Sequence, residues 1–374
     1  MQSRVAAAPI LCVVGARPNL MKIAAVVRAM RAATPPMAVR LLHTGQHYDA
    51  DMSRTFLEDL GLPEPDFHLS VGSGSHAEQT GRVMMAYERL CETHRPRWTV
   101  VVGDVNSTVA CALTAAKQLI PVAHLEAGLR SFDRTMPEEI NRLVTDTLAS
   151  LLWTPSPDGD ENLRNEGIGA ERIERVGNIM IDSYELLRDR IEREQTRLRF
   201  GLEAGTYGVV TLHRPSNVDE KTTLADLVET LCEVGSAIPL VFPLHPRTRS
   251  RLDAFGLMGR LEACAGIHLT SPMSYIPFMG LVREARLVIT DSGGLQEETT
   301  YLDIPCLTRR DTTERPITVE QGTNRLVEAD RLLDAVREIM AGHWPRGRCP
   351  DLWDGRTAGR VVESLRKRLD FDPW

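Results

Sequence analysis

The sequence has no excess of positive charge and no long apolar run, and both absences exclude classes of function. Its 374 residues carry a net charge of −7, and the basic residues do not gather into patches of the kind that bind nucleic acid. No apolar run approaches the roughly 18 residues needed to span a bilayer, and residues 1–8 lack the apolar core of a signal peptide. We therefore expect a cytoplasmic protein with no membrane or nucleic-acid partner.

Signatures of metal and nicotinamide sites are also missing. The seven cysteines are scattered, odd in number and never spaced as C-x-x-C, which argues against a disulfide framework and a zinc site. We expect them to be reduced and mostly buried. The first strand-to-helix turn, "GARPNLMK", is not G-x-G-x-x-G, and no later segment supplies a nicotinamide signature. The sequence thus predicts neither a metal nor a cofactor.

Short apolar runs that end in Gly, Asp or His alternate with longer helical patterns along the whole chain. Examples are "PILCVVGA" and "WTVVVGD" in the first half, and the pattern starts afresh after residue 178 with "YGVVTLHR" and "ARLVITDSGG". Such runs predict parallel strands buried on both faces and joined by helices. Together with the length, they predict an α/β fold of two doubly wound Rossmann-like domains facing across a cleft.

The domain boundary is predicted near Gly177, where a turn-rich stretch precedes a charged helical segment. The first domain is expected to span residues 1–177, completed by an amphipathic C-terminal helix within residues 355–374, and the second to span residues 178–354. In open parallel sheets ligands lie beyond the carboxyl ends of the strands, so we expect a ligand in the cleft between the domains.

Two strand-to-helix turns have the composition of anion-binding sites. In "GARPNLMK", Arg17 and Lys22 add cations to the free N–H groups of a helix N-terminus. In "DSGGLQEET", Ser292, Gly293 and Gly294 begin a helix whose glutamates, one turn on, can reach ribose hydroxyls. N–H groups for phosphates and carboxylates for hydroxyls point to a nucleoside diphosphate. A capped helix with an acidic first turn is an equally good interpretation of the second motif.

Four further residues could complete a nucleotide site. Phe278, placed just after a predicted strand, could stack on a base, although a core phenylalanine explains it as well. Arg315 in "DTTERP" could clamp a pyrophosphate or simply be solvated. His213 and His245 end predicted strands, and their spacing and the lack of a third ligand argue against a metal. We expect hydrogen bonding near phosphate, with a structural role as the alternative.

Acidic residues mark the first domain. Asp104 and Glu126 terminate apolar strands, where they should face a ligand. Pro137 fits a first helical position, which makes Glu138 and Arg142 an i, i+4 pair on one face of a helix. The alternative interpretation of this pair is an ordinary surface salt bridge. Several carboxylates in one place can serve as general acid and base.

Taken together, these motifs resemble the non-hydrolysing UDP-N-acetylglucosamine 2-epimerases. The motifs run in order from residue 15 to residue 316 and are "GARPNLMK", "TGQH", "GDVNST", "HLEAGLRS", "MPEEINR", "TLHRPSN", "YIPF", "DSGGLQEE" and "RDTTERP". The resemblance implies a glycosyltransferase B-type fold, a homodimer, and interconversion of UDP-N-acetylglucosamine and UDP-N-acetylmannosamine without metal or nicotinamide. In the implied mechanism UDP leaves by anti elimination, giving 2-acetamidoglucal, and returns as a proton reaches the other face of C2.

The resemblance also implies roles for single residues. The implied UDP contacts are Arg17, Lys22, His213, Phe278, Ser292, Gly293, Gly294, Glu298 and Arg315. Phe278 would face the uracil, Glu298 the ribose, and the Ser-Gly-Gly turn with Arg315 the diphosphate.

The implied catalytic residues are Asp104, Glu126 and Glu138, together with His213. Arg142 would hold Glu138 in place. Which carboxylate is the base and which is the acid stays open.

The sequence departs from the family pattern at two places. Gln46 and His47, with His245, fit a possible allosteric site found in a subgroup regulated by its substrate, but Asp49 replaces the second amide of that pattern. This replacement argues against activation by UDP-N-acetylglucosamine. Met273 stands where some relatives have glutamine near the uracil, so only a backbone contact is expected there.

Four other functions remain open on sequence. They are epimerisation of a modified sugar such as a UDP-2,3-diacetamido uronic acid, a hydrolysing epimerase that releases N-acetylmannosamine, a glycosyltransferase of the same fold, and a non-catalytic nucleotide-sugar sensor. The acidic residues of the first domain argue against the last two, because a transferase needs an acceptor site and a sensor needs no proton-transfer groups.

Overall fold

The structure is a computed structural model that describes residues 8–45, 57 and 60–369. Of Arg17 it describes the backbone only, and Gln46, His47 and Asp49 lie outside the described residues. The chain divides into two compact units. The first comprises Met1–Leu186 and Asp351–Trp374, and the second comprises Leu187–Pro350. The first segment of the first unit ends at Leu186, and the boundary predicted from the sequence was near Gly177.

The first unit contains, within its described residues, a seven-stranded parallel sheet in the order β3-β2-β1-β4-β5-β6-β7. Its strands are β1 Ile10–Val14, β2 Val39–His43, β3 Phe67–His68, β4 Trp98–Val102, β5 Val122–Leu125, β6 Leu151–Thr154 and β7 Ile173–Arg175. The central strands are buried along their whole length, as expected for a parallel sheet covered on both faces. The helices between them are α1 Arg17–Ala32, α2 His76–Thr93, α3 Asn106–Lys117, α4 Pro137–Leu148 and α5 Pro157–Asn165. Helix α6, Ile179–Arg193, follows β7 and continues from the first unit into the second.

The second unit contains, in the same way, a six-stranded parallel sheet in the order β10-β9-β8-β11-β12-β13. Its strands are β8 Gly208–Thr211, β9 Leu240–Pro243, β10 Ile267–Thr270, β11 Leu287–Thr290, β12 Cys306–Thr308 and β13 Asn324–Leu326. Its helices are α7 Pro215–Val218, α8 Lys221–Ala237, α9 Pro246–Phe255, α10 Met258–Glu262, α11 Tyr275–Val282, α12 Gly293–Tyr301, α13 Ile317–Glu320 and α14 Leu332–Met340.

The C-terminal helix α15, Thr357–Arg366, belongs to the first unit. The buried Asp182 carboxylate accepts hydrogen bonds from the N–H groups of Thr357 (3.1 Å) and Ala358 (2.8 Å). These N–H groups have no partner within the helix, so Asp182 acts as its cap. The indole of Trp153 on β6 donates to Ser364 Oγ at 2.8 Å and fixes the helix further along.

Strand order reverses once in each sheet, and this positions the ligand-binding edge. In the first sheet the chain passes from one side of β1 to the other when it enters β4, and in the second sheet β8 and β11 are related in the same way. At such switch points the loops leave adjacent strands in opposite directions and open a crevice at the carboxyl edge. The candidate residues that follow β4 and β11 therefore stand at switch points.

None of the helices in the described part of the chain combines the length and apolar composition needed to cross a membrane.

A disulfide in the second unit corrects our expectation about the cysteines. Cys232 on α8 is bonded to Cys264, which follows α10, with the Cα atoms 5.6 Å apart. The expectation that all cysteines are reduced is therefore wrong for this pair. The two cysteines are 32 residues apart in sequence, and a separation of that size carries no pairing signal. Only the packing of the two helices brings them within bonding range.

Replacing Cys264 with serine is expected to lower the free energy of unfolding by about 3 kcal/mol, because the bond closes a long loop in the unfolded chain. Denaturant unfolding without reductant measures the loss. Cys349→Ser, at an exposed cysteine outside the disulfide, is the matched control. Adding reductant should erase the difference between wild type and Cys264→Ser. Equal unfolding midpoints before reduction would show that the bond contributes nothing.

Candidate active site

Glu126 lies at the carboxyl edge of the first sheet, directly after β5, in an unusual backbone conformation. Its φ of 69° is in the left-handed region, which a residue with a long side chain seldom occupies unless its surroundings hold it there. The side chain is only 3% exposed, and its Oε2 accepts a hydrogen bond from Lys22 Nζ on α1. Oε1 is buried and has no hydrogen-bond partner among the described residues. One carboxylate oxygen thus remains for a ligand.

Gly103 brings the residues of this site close together. It follows β4 with φ of 67°, and a Cβ placed on it would lie 3.5 Å from Glu126 Oε2 and 3.6 Å from Lys22 Nζ. The Asn19 amide of α1 donates to the Val102 carbonyl at 2.6 Å and ties the start of α1 to the end of β4. The next residue is Asp104. The structure therefore brings together the strand ends that carry the two predicted carboxylates.

Arg142 binds Asp104 and Glu139, which corrects the predicted pair. Its Nη1 lies 2.7 Å from Asp104 Oδ2, and its Nη2 lies 3.0 Å from Glu139 Oε2. Glu138, the expected partner, is exposed and makes no ion pair among the described residues. The sequence could not decide between the adjacent glutamates, because both spacings place an acid on the arginine's side of a helix.

The sequence places Glu139 among the acidic residues of "MPEEINR" but predicts no role for it. Its carboxylate accepts hydrogen bonds at 3.0 Å from the backbone N–H and the hydroxyl of Ser131, and at 3.0 Å from the N–H of Phe132. Phe132 itself has φ of 59°. Glu139 therefore fixes the loop before α4 and at the same time orients Arg142 toward Asp104. The signal in "MPEE" was an acid two positions after the first helical proline, which alone does not predict burial.

Asp291 joins the two strands at the switch point of the second sheet. Its fully buried carboxylate accepts from the N–H groups of His213 (2.9 Å) and Arg214 (2.8 Å) and from the Asn217 amide (3.0 Å). His213 Nδ1 lies 2.8 Å from the other oxygen. Burial raises the pKa of Asp291, but the His213 ring and these donors outweigh burial and hold the pKa below its usual value. Sequence reasoning quoted this residue but gave it no role.

Replacing Asp291 with asparagine is expected to destabilise the second unit by about 2 kcal/mol at neutral pH, because charged hydrogen bonds are lost. Since the folded pKa is depressed, Asp291 stabilises the fold above its unfolded pKa of about 3.9, and this contribution disappears as the pH falls through the folded pKa. Wild type and variant should therefore differ in their unfolding midpoints at neutral pH and have the same midpoint at acidic pH. Asp253→Asn, at an exposed aspartate of α9, is the control and should change neither curve. A gap that stays constant with pH would contradict this account.

His213 and His245 lie side by side, as the strand-end pattern predicts. Their ring centroids are 5.2 Å apart. His245 caps α9 by accepting from the Arg247 N–H at 3.2 Å, and burial, followed by the charge of His213, lowers its pKa. His213 is partly exposed and bound to Asp291 through Nδ1, which leaves Nε2 as the ring nitrogen for a ligand. Among the described residues, no group of three or more His, Cys, Asp or Glu side chains could hold a metal ion.

The Ser-Gly-Gly turn begins α12, as predicted, and lacks a side-chain cap. Ser292 is the N-cap residue, but its side chain makes no capping hydrogen bond. The first N–H groups of the helix therefore keep their capacity to bind an anion. A Cβ on Gly293 would lie 2.6 Å from Glu314 Oε1 and 2.7 Å from Arg315 Nη1, so only glycine fits here without displacing those side chains.

Arg315 is largely buried and paired rather than solvated. Its Nε lies 2.8 Å from Glu297 Oε1, and its Nη1 lies 2.6 Å from Glu314 Oε1. Arg310 adds a second guanidinium, 2.7 Å from Glu314 Oε2. Glu314 and Arg310 were not predicted, since a polar loop gives no pattern of burial. Glu297 and Glu314 thus hold the Arg315 guanidinium beside Gly293 at the start of α12.

Glu298, the second glutamate of α12, contacts α11, and Phe278 lies on α11 itself. Glu298 is buried, and its Oε1 accepts a hydrogen bond from the Tyr275 hydroxyl at 2.6 Å. Phe278 is half-buried on α11, one turn after Tyr275, and not directly after a strand as we predicted. The intervening segment, residues 271–274, gave no helix start signal strong enough to place it.

A family model described as UDP-N-acetylglucosamine 2-epimerase matches residues 29–366. The chain belongs to the UDP-N-acetylglucosamine 2-epimerase family. Relatives extend the match to nearly the whole chain. A UDP-N-acetylglucosamine 2-epimerase of Methanocaldococcus jannaschii is 40% identical over 360 residues, which are 94% of this chain and 97% of that protein. A UDP-2,3-diacetamido-2,3-dideoxy-D-glucuronate 2-epimerase of Pseudomonas aeruginosa is 40% identical over 363 residues, covering 96% and 99%.

A solved structure agrees with the fold of this epimerase-family chain. The crystal structure of the M. jannaschii enzyme in complex with UDP-GlcNAc and UDP superposes with a TM-score of 0.87 at 40% identity, covering 96% of this chain and 99% of that one. The resemblance seen in the motifs and the predicted class of two doubly wound Rossmann-like domains are both confirmed.

Within this member of the 2-epimerase family, the predicted site residues fall into two groups. Those at the first sheet are Lys22, Asp104, Glu126 and Arg142, with Glu138 exposed on α4. Those in the second unit are His213, His245, Phe278, Ser292, Gly293, Gly294, Glu298 and Arg315. Arg17 begins α1.

Proposed function

We propose that this chain interconverts UDP-N-acetylglucosamine and UDP-N-acetylmannosamine without hydrolysis. The observation that carries the proposal is a carboxylate at the end of each of two adjacent strands: Asp104 follows Gly103 after β4, and Glu126, after β5, has its Oε2 3.5 Å from a Cβ placed on Gly103. A reaction that removes a proton from one face of C2 and delivers one to the other needs two proton-transfer groups. A protein that only binds a nucleotide sugar needs neither.

In the proposed reaction a carboxylate takes the C2 proton while the bond from C1 to the UDP oxygen breaks. The electron pair of the C2–H bond forms the C1=C2 double bond of 2-acetamidoglucal. A carboxylic acid then protonates the opposite face of C2, and the UDP oxygen adds back to C1. Atoms balance without water or a redox partner. Asp104, Glu126 and Glu138 are the proposed proton-transfer residues.

The second unit is proposed to bind UDP and to stabilise it as the leaving group. The uncapped N–H groups of α12 and the Arg315 guanidinium are proposed to bind the diphosphate, and His213 is proposed to contact it through Nε2. Glu298 and Phe278 are proposed to contact ribose and uracil, with Lys22 and Arg17 as further contacts. We also propose a homodimer, which light scattering of the purified protein tests.

Incubation with UDP-N-acetylglucosamine in deuterated water, with no cofactor added, tests the reaction. We expect a mixture of the two epimers by NMR, deuterium at C2 and intact UDP-sugars. Loss of UDP from the product would identify a hydrolysing enzyme. Epimerisation without deuterium would exclude exchangeable proton removal at C2. If UDP-N-acetylglucosamine does not react at all, epimerisation of a modified UDP-sugar becomes the remaining candidate function.

Epimerisation of a UDP-2,3-diacetamido uronic acid is the second candidate function. The P. aeruginosa relative with that activity in its name is as similar to this chain as the M. jannaschii relative, with 40% identity to each. Both substrates should therefore be tested in parallel, and the ratio of their kcat/KM values decides between the two functions.

Gly293→Ala is expected to weaken UDP binding roughly tenfold, since the new methyl group displaces Arg315 and Glu314 from the start of α12. Isothermal titration with UDP measures the change. Gly259→Ala is the control, because no atom lies within 4 Å of a Cβ at that position. Unchanged affinity in Gly293→Ala would argue that the turn does not bind the diphosphate.

A further inference from the structure

A buried histidine joins the two segments that carry Asp104 and Glu126. His124 lies on β5, is fully buried, and is bound through both ring nitrogens. Nε2 lies 2.9 Å from the carbonyl oxygen of Gly103, the residue before Asp104. Nδ1 lies 2.6 Å from Asp146 Oδ1 on α4. The histidine thus connects the end of β4 with a buried acid.

The contact with Gly103 determines one ring proton. A carbonyl oxygen only accepts hydrogen bonds, so Nε2 carries a proton. Asp146 accepts from the Arg130 guanidinium and from the Gly128 N–H as well as lying against the ring. Burial raises the pKa of Asp146, but the contacts with His124 and Arg130 outweigh burial and hold that pKa below its usual value. The His124 ring therefore bridges the Gly103 carbonyl and the Asp146 carboxylate.

Arg130 links Asp146 to a second carboxylate. Arg130 Nη1 lies 2.7 Å from the second oxygen of Asp146, and the same guanidinium donates two hydrogen bonds of 2.7 Å to Glu166, which is exposed at the surface. His124, Asp146 and Arg130 form the buried part of this network. Each of these three side chains has a partner, which makes the arrangement rigid, and the loss of one member leaves another buried polar group without its partner.

The network also reaches the segment after Glu126. Asp146 Oδ2 accepts a hydrogen bond from the Gly128 N–H at 3.1 Å. Gly128 is packed tightly, because a Cβ there would lie 2.3 Å from the Gly159 carbonyl oxygen. One end of the network therefore holds the residue before Asp104, and the other holds the residue two positions after Glu126.

We infer that His124 is a positioning residue for the proposed epimerisation: its ring ties the Gly103–Asp104 turn to Asp146, which also holds Gly128, and thereby fixes the segments that carry Asp104 and Glu126 relative to each other. It does not touch the substrate itself. The inference rests on the proposed function in so far as it takes these two carboxylates as the proton-transfer groups. Misplacing a reacting group by about 1 Å can lower a rate by roughly 100-fold.

Two variants separate the two contacts of His124. The amide nitrogen of asparagine lies close to the position of Nδ1, so His124→Asn keeps the donor to Asp146 and loses the donor to Gly103. The amide nitrogen of glutamine lies close to Nε2, so His124→Gln keeps the donor to Gly103 and loses the donor to Asp146. His94→Asn, at an exposed histidine of the same unit, is the control.

For both variants we expect kcat to fall by about 10- to 100-fold with KM and the Kd for UDP unchanged, because the proposed UDP contacts in the second unit are untouched. Hydrogen exchange should become about tenfold faster in residues 103–108 for His124→Asn and in residues 126–131 for His124→Gln. His94→Asn should match wild type. Variants that keep kcat within about twofold of wild type overturn the inference. The inference is also overturned if activity falls only as much as the folded fraction does, while hydrogen exchange in residues 103–108 and 126–131 stays at the wild-type rate.

A measurement on the unmodified protein keeps the inference testable if both variants fail to fold. Nitrogen-15 NMR of the His124 ring should show a slowly exchanging proton on Nε2, hydrogen-bonded to the Gly103 carbonyl, and an Nε2 without a proton overturns the inference. Failure of the proposed function and failure of this inference give different results. A wild-type protein that is inert toward both UDP-sugars refutes the epimerisation, whereas the NMR and hydrogen-exchange results decide whether His124 ties the two segments.

Discussion

Replacing Asp104 with asparagine is expected to lower kcat for epimerisation by roughly 100-fold or more, the range seen when a general acid or base is removed. Asp104 follows β4 at the switch point, its side chain is 34% exposed, and Arg142 Nη1 lies 2.7 Å from its Oδ2. Asparagine keeps the size and one acceptor oxygen but cannot take up a proton. Arg142 remains oriented by Glu139, so the local structure should persist. NMR detection of the 2-epimer and of deuterium at C2 measures the loss.

The matched control for this variant is Glu92→Gln, which neutralises an exposed acid on α2 of the same unit. It should turn over at the wild-type rate. If Asp104→Asn also turns over near normally, Asp104 is not a proton-transfer group, and Glu126 and Glu138 alone remain as candidates.

Replacing Glu126 with glutamine is expected to reduce both turnover and stability. Glu126 is buried and paired with Lys22, whose side chain is only 12% exposed. The variant loses the proton-transfer group, which costs roughly 100-fold in kcat. It also leaves a buried ammonium group without a counterion, which costs about 3 kcal/mol in the free energy of unfolding. Thermal unfolding and C2 deuterium exchange, measured on the same preparation, separate the two losses.

A double variant distinguishes catalysis from charge pairing at this site. Adding Lys22→Met to Glu126→Gln removes the unpaired cation, so most of the lost stability should return. Turnover should not return, because no carboxylate is restored. Recovery of turnover in the double variant would show that Glu126 serves to neutralise Lys22 and not to transfer a proton.

The sequence by itself determined the architecture and the region of the site. Apolar runs without polar alternation can be stable only as strands buried on both faces, which requires parallel sheets with helices on each side. Residues that end such strands lie at the carboxyl edge, so Asp104, Glu126, His213 and the turn at Gly293 could be assigned to ligand-binding edges from their order alone. The motif resemblance then named the chemistry.

Only the tertiary structure decided which side chains pair. Glu139, and not Glu138, turns inward because the loop at Ser131 offers it three donors, a contact that helical spacing does not encode. The disulfide, the Asp291 junction between β8 and β11 and the His124 network likewise join residues far apart in sequence. Local propensity and periodicity report only on neighbours along the chain. The partners of buried polar groups follow instead from the long-range packing that removes them from water.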